Sequence, residues 1–70
     1  MKSIHSPMAG TVWKIVKAVG DTVDYGDTVA ILESMKMEIP VEADSAGTIA
    51  KILVAEGDVV DDGVPLFELS

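Results

Sequence analysis

Residues 9–33 align without a gap on residues 46–70, an offset of 37, with 12 identities in 25 positions. Ala9-Gly10-Thr11 matches Ala46-Gly47-Thr48, Lys14-Ile15 matches Lys51-Ile52, and Gly20-Asp21 matches Gly57-Asp58. Val23-Asp24 matches Val60-Asp61, with Ala18, Gly26 and Leu32 finding identical partners in Ala55, Gly63 and Leu69. Unrelated stretches do not agree at half of their positions. Conservative pairs such as Val12 with Ile49 and Val16 with Leu53 strengthen the match. A chain of 70 residues is one small domain, which buries only about 60% of the surface its unfolded form exposes. Two like halves of such a chain cannot each hold a core. They must complete one another across a pseudo-two-fold axis.

Each half reads as β. Thr11-Val12-Trp13-Lys14-Ile15-Val16 and Thr48-Ile49-Ala50-Lys51-Ile52-Leu53-Val54 are rich in β-branched residues and follow a glycine. The segments 19–27 and 56–63 each carry two glycines and three aspartates suited to turns, since glycine accepts positive φ and aspartate bonds nearby backbone. All six glycines, Gly10, Gly20, Gly26, Gly47, Gly57 and Gly63, are expected at turns. Pro65 cannot donate to a ladder and belongs at a strand start or edge. No window shows a sustained 3.6-residue apolar stripe, while Ile39, Val41 and Ala43 alternate with Pro40, Glu42 and Asp44. About four short strands per half predict a small all-β sandwich or barrel.

The halves join at Glu33-Ser34-Met35-Lys36-Met37-Glu38, and residues 34–45 are expected to lack a counterpart in the other half. With a strand ending near Ser34 and another running Met37–Val41, only Met35 and Lys36 remain for the hairpin loop. Two-residue loops favour turns with φ > 0 and sequences such as Asn-Gly, so Met-Lys is poor turn chemistry. A site that breaks a local rule is a candidate functional site. The alternative is an ordinary solvated lysine beside two methionines that pack inward. The central position, the unsuitable turn residues and the broken repeat weigh against it.

Charge narrows the function. Five lysines, no arginine and twelve acids give a net charge of −7. Nucleic-acid phosphates and anionic membranes both need basic residues, so neither is an expected partner. There is no cysteine for a disulfide or thiolate metal site, and His5 is the only histidine. No metal or catalytic role is expected of His5. The acids of 58–62 lack calcium-loop spacing and read as solvated turns. Trp13 has no aromatic twin, its repeat partner being Ala50. No apolar run approaches the ~20 residues of a membrane span, and the first residues lack the apolar core of a signal peptide. A cytoplasmic, monomeric protein is expected. No nucleophile–base constellation points to a stand-alone enzyme; a non-covalent interaction module with a Met-rich tip is one reading of the residues.

Glu33-Ser34-Met35-Lys36-Met37 resembles the Glu-Ala-Met-Lys-Met signature of biotinyl domains, the biotin carboxyl carrier family. The likeness covers essentially all of residues 1–70: Ser6-Pro7-Met8-Ala9-Gly10 is similar to the family's Pro-Met-x-Gly, and 42–47 to its stretch after the hairpin. The resemblance implies a barrel–sandwich hybrid, a flattened β-barrel of two four-stranded antiparallel sheets. It implies biotin joined covalently to Lys36 by a biotin protein ligase through biotinyl-AMP. It further implies recognition by Met35 and Met37, with weaker roles for Glu33, Ser34 and Glu38. The expected partners are then that ligase, a biotin carboxylase and a carboxyltransferase, the domain itself being non-catalytic. This agrees with the residues: an amine must lose a proton before it attacks, and no base or ATP site stands in the sequence. Related lipoyl domains share the fold and usually carry Asp-Lys-Ala. Met35 and Met37 therefore favour biotin, with a lipoyl or dual carrier as the alternative. Ser34 departs mildly from the usual Ala. Carriers of the enteric-bacterial acetyl-CoA carboxylase type have a protruding thumb in the first half, for which the ungapped repeat leaves no room.

Overall fold

A computed structural model of the chain describes residues 2–70. Eight strands follow one another: β1 (Lys2–His5), β2 (Gly10–Ile15), β3 (Thr22–Val23), β4 (Thr28–Ser34), β5 (Met37–Glu42), β6 (Gly47–Ile52), β7 (Val59–Val60) and β8 (Pro65–Leu69). They form two antiparallel four-stranded sheets, ordered β1-β8-β6-β3 and β5-β4-β2-β7. Shifting residue numbers by 37 turns one sheet into the other, strand for strand. The short β3 and β7 cross over, each pairing in the sheet built mainly from the opposite half.

The core repeats with the same offset. Its fully buried positions fall into seven pairs: Ile4/Val41, Ser6/Ala43, Val12/Ile49, Val23/Val60, Val29/Leu66, Ala30/Phe67 and Leu32/Leu69. Six pairs are alike in size or nearly so. The seventh sets alanine against phenylalanine, so one large ring fills space that its twin leaves. Ser6 is the lone polar member, and its hydroxyl donates to the Met8 carbonyl at 2.6 Å, which meets the demand that a buried polar group be bonded.

Two expectations are corrected. Residues 39–45 do have a counterpart, namely 2–8. The Ser6 N–H donates to the Val64 carbonyl at 2.8 Å, as the Ala43 N–H does to the Asp27 carbonyl at 2.8 Å. The Gly63 N–H then returns to the Ser6 carbonyl, as the Gly26 N–H does to that of Ala43. Burial alternation is shared here but identity is not, which hid the relation in the sequence. The asymmetric part thereby shrinks to about residues 34–38. Secondly, only Gly20, Gly26, Gly57 and Gly63 have positive φ. Gly10 and Gly47 open strands, where space is short. A Cβ on Gly10 would stand 3.0 Å from the Glu33 carbonyl oxygen, and one on Gly47 3.2 Å from that of Ser70.

The turns are built as their residues suggest. The Ala18 N–H donates to Asp21 Oδ2 at 2.8 Å, and its twin Ala55 N–H to Asp58 Oδ2 at 2.9 Å. This aspartate bond closes the turn that leads into β3 in one half and β7 in the other.

Candidate functional site

The longest pair of strands in the molecule carries the candidate lysine. β4 and β5 pair from Thr28↔Glu42 to Ser34↔Met37, leaving Met35 and Lys36 as the turn. Their φ values are 53° and 64°, the only positive values at non-glycine residues among those described. Two consecutive residues of this kind make a type I′ turn, whose twist suits the strands it joins. The left-handed conformation costs a residue with a Cβ about 1–2 kcal/mol. The hairpin therefore holds its tip against local preference, through the ladder beneath it.

The side chains at the tip face outward. Met35 is 89% exposed and Met37 57% exposed, which excludes inward packing. Lys36 is exposed between them, Ser34 is half-buried, and Glu33 and Glu38 are exposed. Glu33 and Glu38 stand directly opposite in the ladder, a like-charge pairing that disfavours the hairpin. The structure thus gathers all six residues of the motif on one ribbon. Beneath it, the Glu33 backbone runs close to Gly10 of β2, where a Cβ would stand 3.0 Å from the Glu33 carbonyl oxygen, so a side chain there would push on the base of the ribbon. Sequence reasoning passed over this role of Gly10 because a glycine that opens a strand looks like any other punctuation.

The remaining candidates fall elsewhere. His5 is exposed at a bulged position of β1. Among the described residues no group of three or more His, Cys, Asp or Glu side chains is placed to hold a metal ion. Trp13 is 47% exposed at a bulge in β2. Lys14 lies next to it in sequence, yet its Nζ sits 5.7 Å from the ring centroid. Successive strand residues ordinarily point to opposite faces; the bulge turns both to the same one.

A free amine at an exposed apex, on a rigid ribbon and flanked by pliable thioethers, suits covalent loading with an acyl group. The family model for biotin/lipoyl domains, described as "Biotin-requiring enzyme", matches residues 2–69. The chain belongs to this family. It is 51% identical over 68 residues to the biotin/lipoyl attachment protein of Bacillus subtilis, a match spanning 97% of this chain and 93% of that one. It is 60% identical over 35 residues to the methylmalonyl-CoA carboxyltransferase 1.3S subunit of Propionibacterium freudenreichii subsp. shermanii, covering 50% of this chain and 28% of that protein. Among solved structures, the urea carboxylase of Kluyveromyces lactis superposes with a TM-score of 0.91 at 40% identity over 99% of this chain and 6% of that enzyme. The chain therefore spans nearly all of the Bacillus protein and only a small part of the carboxylases it resembles.

Proposed function

We propose that this biotin/lipoyl-family domain is a biotin carboxyl carrier, non-catalytic in itself, and that Lys36 is its attachment point. The observation that carries the assignment is the Met35-Lys36 turn. It breaks the two-fold pattern where the halves join, and it presents an amine on a strained, solvent-exposed tip. The Lys36 amine, having lost a proton to solvent or to an enzyme base, attacks an activated biotinyl carbonyl. The amide C–N bond forms as the acyl–phosphate bond breaks and AMP leaves. The residues present fit the group: the tip is open on all sides, so an extended acyl arm meets no wall. When bound, biotin supplies a ureido nitrogen that carries carboxylate between a biotin carboxylase and a carboxyltransferase. The protein's own part is to fix the base of the arm and to raise the local concentration of its end at two active sites. The carboxylase relatives support partners of this kind.

Incubation with a biotin protein ligase, biotin and ATP is expected to raise the intact mass by one biotinyl group. Lys36→Arg abolishes the increase. An unlabelled wild type, or a labelled Lys36→Arg, would sink the assignment. The family embraces lipoyl carriers, and the Bacillus relative bears both groups in its name. Lipoate is therefore the second reading, with Met35 and Met37 opposed to it. Met35→Asp with Met37→Ala is expected to move labelling toward lipoate when a lipoyl ligase is supplied.

A further inference from the structure

The pseudo-two-fold axis supplies an internal control for the surface, because outward positions on the lysine-bearing sheet other than those of 34–38 have a twin on the other sheet. The outer face of β5-β4-β2-β7 carries Pro40, Ile31 and Trp13 in one cross-strand row, set by the pairs Pro40↔Ile31 and Ile31↔Lys14 with Trp13 beside Lys14 at the bulge. Their twins are Ser3, Glu68 and Ala50. On the other sheet Glu68 pairs with Lys51 and Ser3, an ordinary solvated arrangement. Nearer the tip, the row Glu38, Glu33, Thr11, Val59 ends in a valine that is 82% exposed. The twin of Val59 is Thr22, and that of Glu33 is Ser70. Both faces do the same structural work, and the fold does not need apolar side chains here. Single exposed apolar residues are commonplace. A row that carries bulky apolar side chains on one sheet, and serine, glutamate and no more than alanine at the equivalent places on the other, is not.

We infer that the outer face of the lysine-bearing sheet, centred on Trp13 and Ile31, is the docking surface for the enzyme that attaches the acyl group to Lys36. This rests on the carrier function proposed above. Distance selects the occupant. An attaching enzyme must bring its reacting carbon to Lys36 Nζ itself, so its body closes over the tip. A partner acting at the far end of a loaded arm need not. At about 3.3 Å per residue, the Ile31 row lies roughly 13 Å below the turn. A standard footprint of about 800 Å² per partner has a radius of roughly 16 Å, which takes in that row. Charge defines the complementary chemistry. Glu33, Glu38 and Glu42 flank the apolar row on the same face, Glu33 and Glu38 in a self-repelling pair. The partner surface is an apolar recess for the indole with lysines or arginines along its rim.

The test transplants the twin row. Trp13→Ala, Ile31→Glu and Pro40→Ser together copy residues that the same fold already accepts on the opposite sheet, so the melting temperature is expected to stay near that of wild type. With a purified biotin protein ligase, biotin and ATP, kcat/KM for labelling is expected to fall at least about tenfold, through KM with kcat little changed. The reverse transplant, Ala50→Trp with Glu68→Ile, is expected to leave KM unaltered. A wild-type KM in the triple variant, or an equal rise in both variants, would overturn the proposal. So would normal labelling of the triple variant combined with poor carboxylation by a biotin carboxylase, which would give the face to that partner. A wild type that takes up no biotin overturns the carrier reading as well, a result distinct from a normally labelled variant, which removes the docking surface alone.

Discussion

Met35→Asn isolates the conflict between turn geometry and function. Met35 sits at φ 53° and Lys36 at φ 64°. The first of these positions in a type I′ turn favours asparagine, and a residue unsuited to the left-handed region gives up about 1–2 kcal/mol there. Little packing opposes the change. A wholly buried methionine is worth about 1.5–3 kcal/mol, but Met35 is 89% exposed, so its remaining contacts contribute only a few tenths. Asparagine recovers part of the strain, and the net gain is about 0.5–1 kcal/mol. For a domain of this size that raises the melting temperature by roughly 2–8 °C. Reversible thermal melting or urea titration reads the shift. Labelling by biotin ligase is expected to slow in the same variant, since an apolar contact beside the lysine is removed. A melting temperature equal to or below wild type would refute the claim that the tip is strained for function.

Gly10→Ala forces a Cβ to 3.0 Å from the Glu33 carbonyl oxygen; it is expected to cost about 1–3 kcal/mol and to slow labelling, whereas Gly47→Ala is expected to destabilise without touching Lys36 chemistry. Phe67→Ala removes the largest fully buried side chain, at about 3–5 kcal/mol, which is most of the stability of so small a core. Adding Ala30→Phe returns the lost volume to the twin position, and circular dichroism melts are expected to show partial recovery; no recovery would contradict the pseudo-symmetric packing. Asp58→Asn weakens the bond from the Ala55 N–H to Oδ2 and is expected to lower the melting temperature by a few degrees, about 1 kcal/mol.

Much of this was legible because the repeat is written in residues with backbone duties. Gly20/Gly57 and Gly26/Gly63 adopt positive φ in both halves, and such positions tolerate little else. The hairpin tip was legible by subtraction, as the two residues left between strands. The kinship of 2–8 with 39–45 was not legible. Ile4 and Val41 are interchangeable core residues, so burial was kept while identity drifted. The crossing of β3 and β7 was hidden too. Two-residue strands carry no period, and their sheet is chosen by bonds from distant residues, such as the Ile49 N–H to the Asp21 carbonyl at 2.9 Å. The bulge that turns Trp13 and Lys14 to one face is likewise a matter of register, which a single strand does not announce.

The pairing of β1 with β8, from Lys2↔Leu69 onward, sets a time as well as a shape. During synthesis the lysine hairpin emerges while β6, β7 and β8 are still to be made. The sheet that holds Lys36 lacks β7 until then, and the opposing sheet lacks its two central strands. An enzyme that reads the folded surroundings of Lys36 must therefore wait for β8 to leave the ribosome. A chain that stops before β8 leaves the sheet opposite Lys36 without a central strand, and the ligase proposed above is expected not to label it.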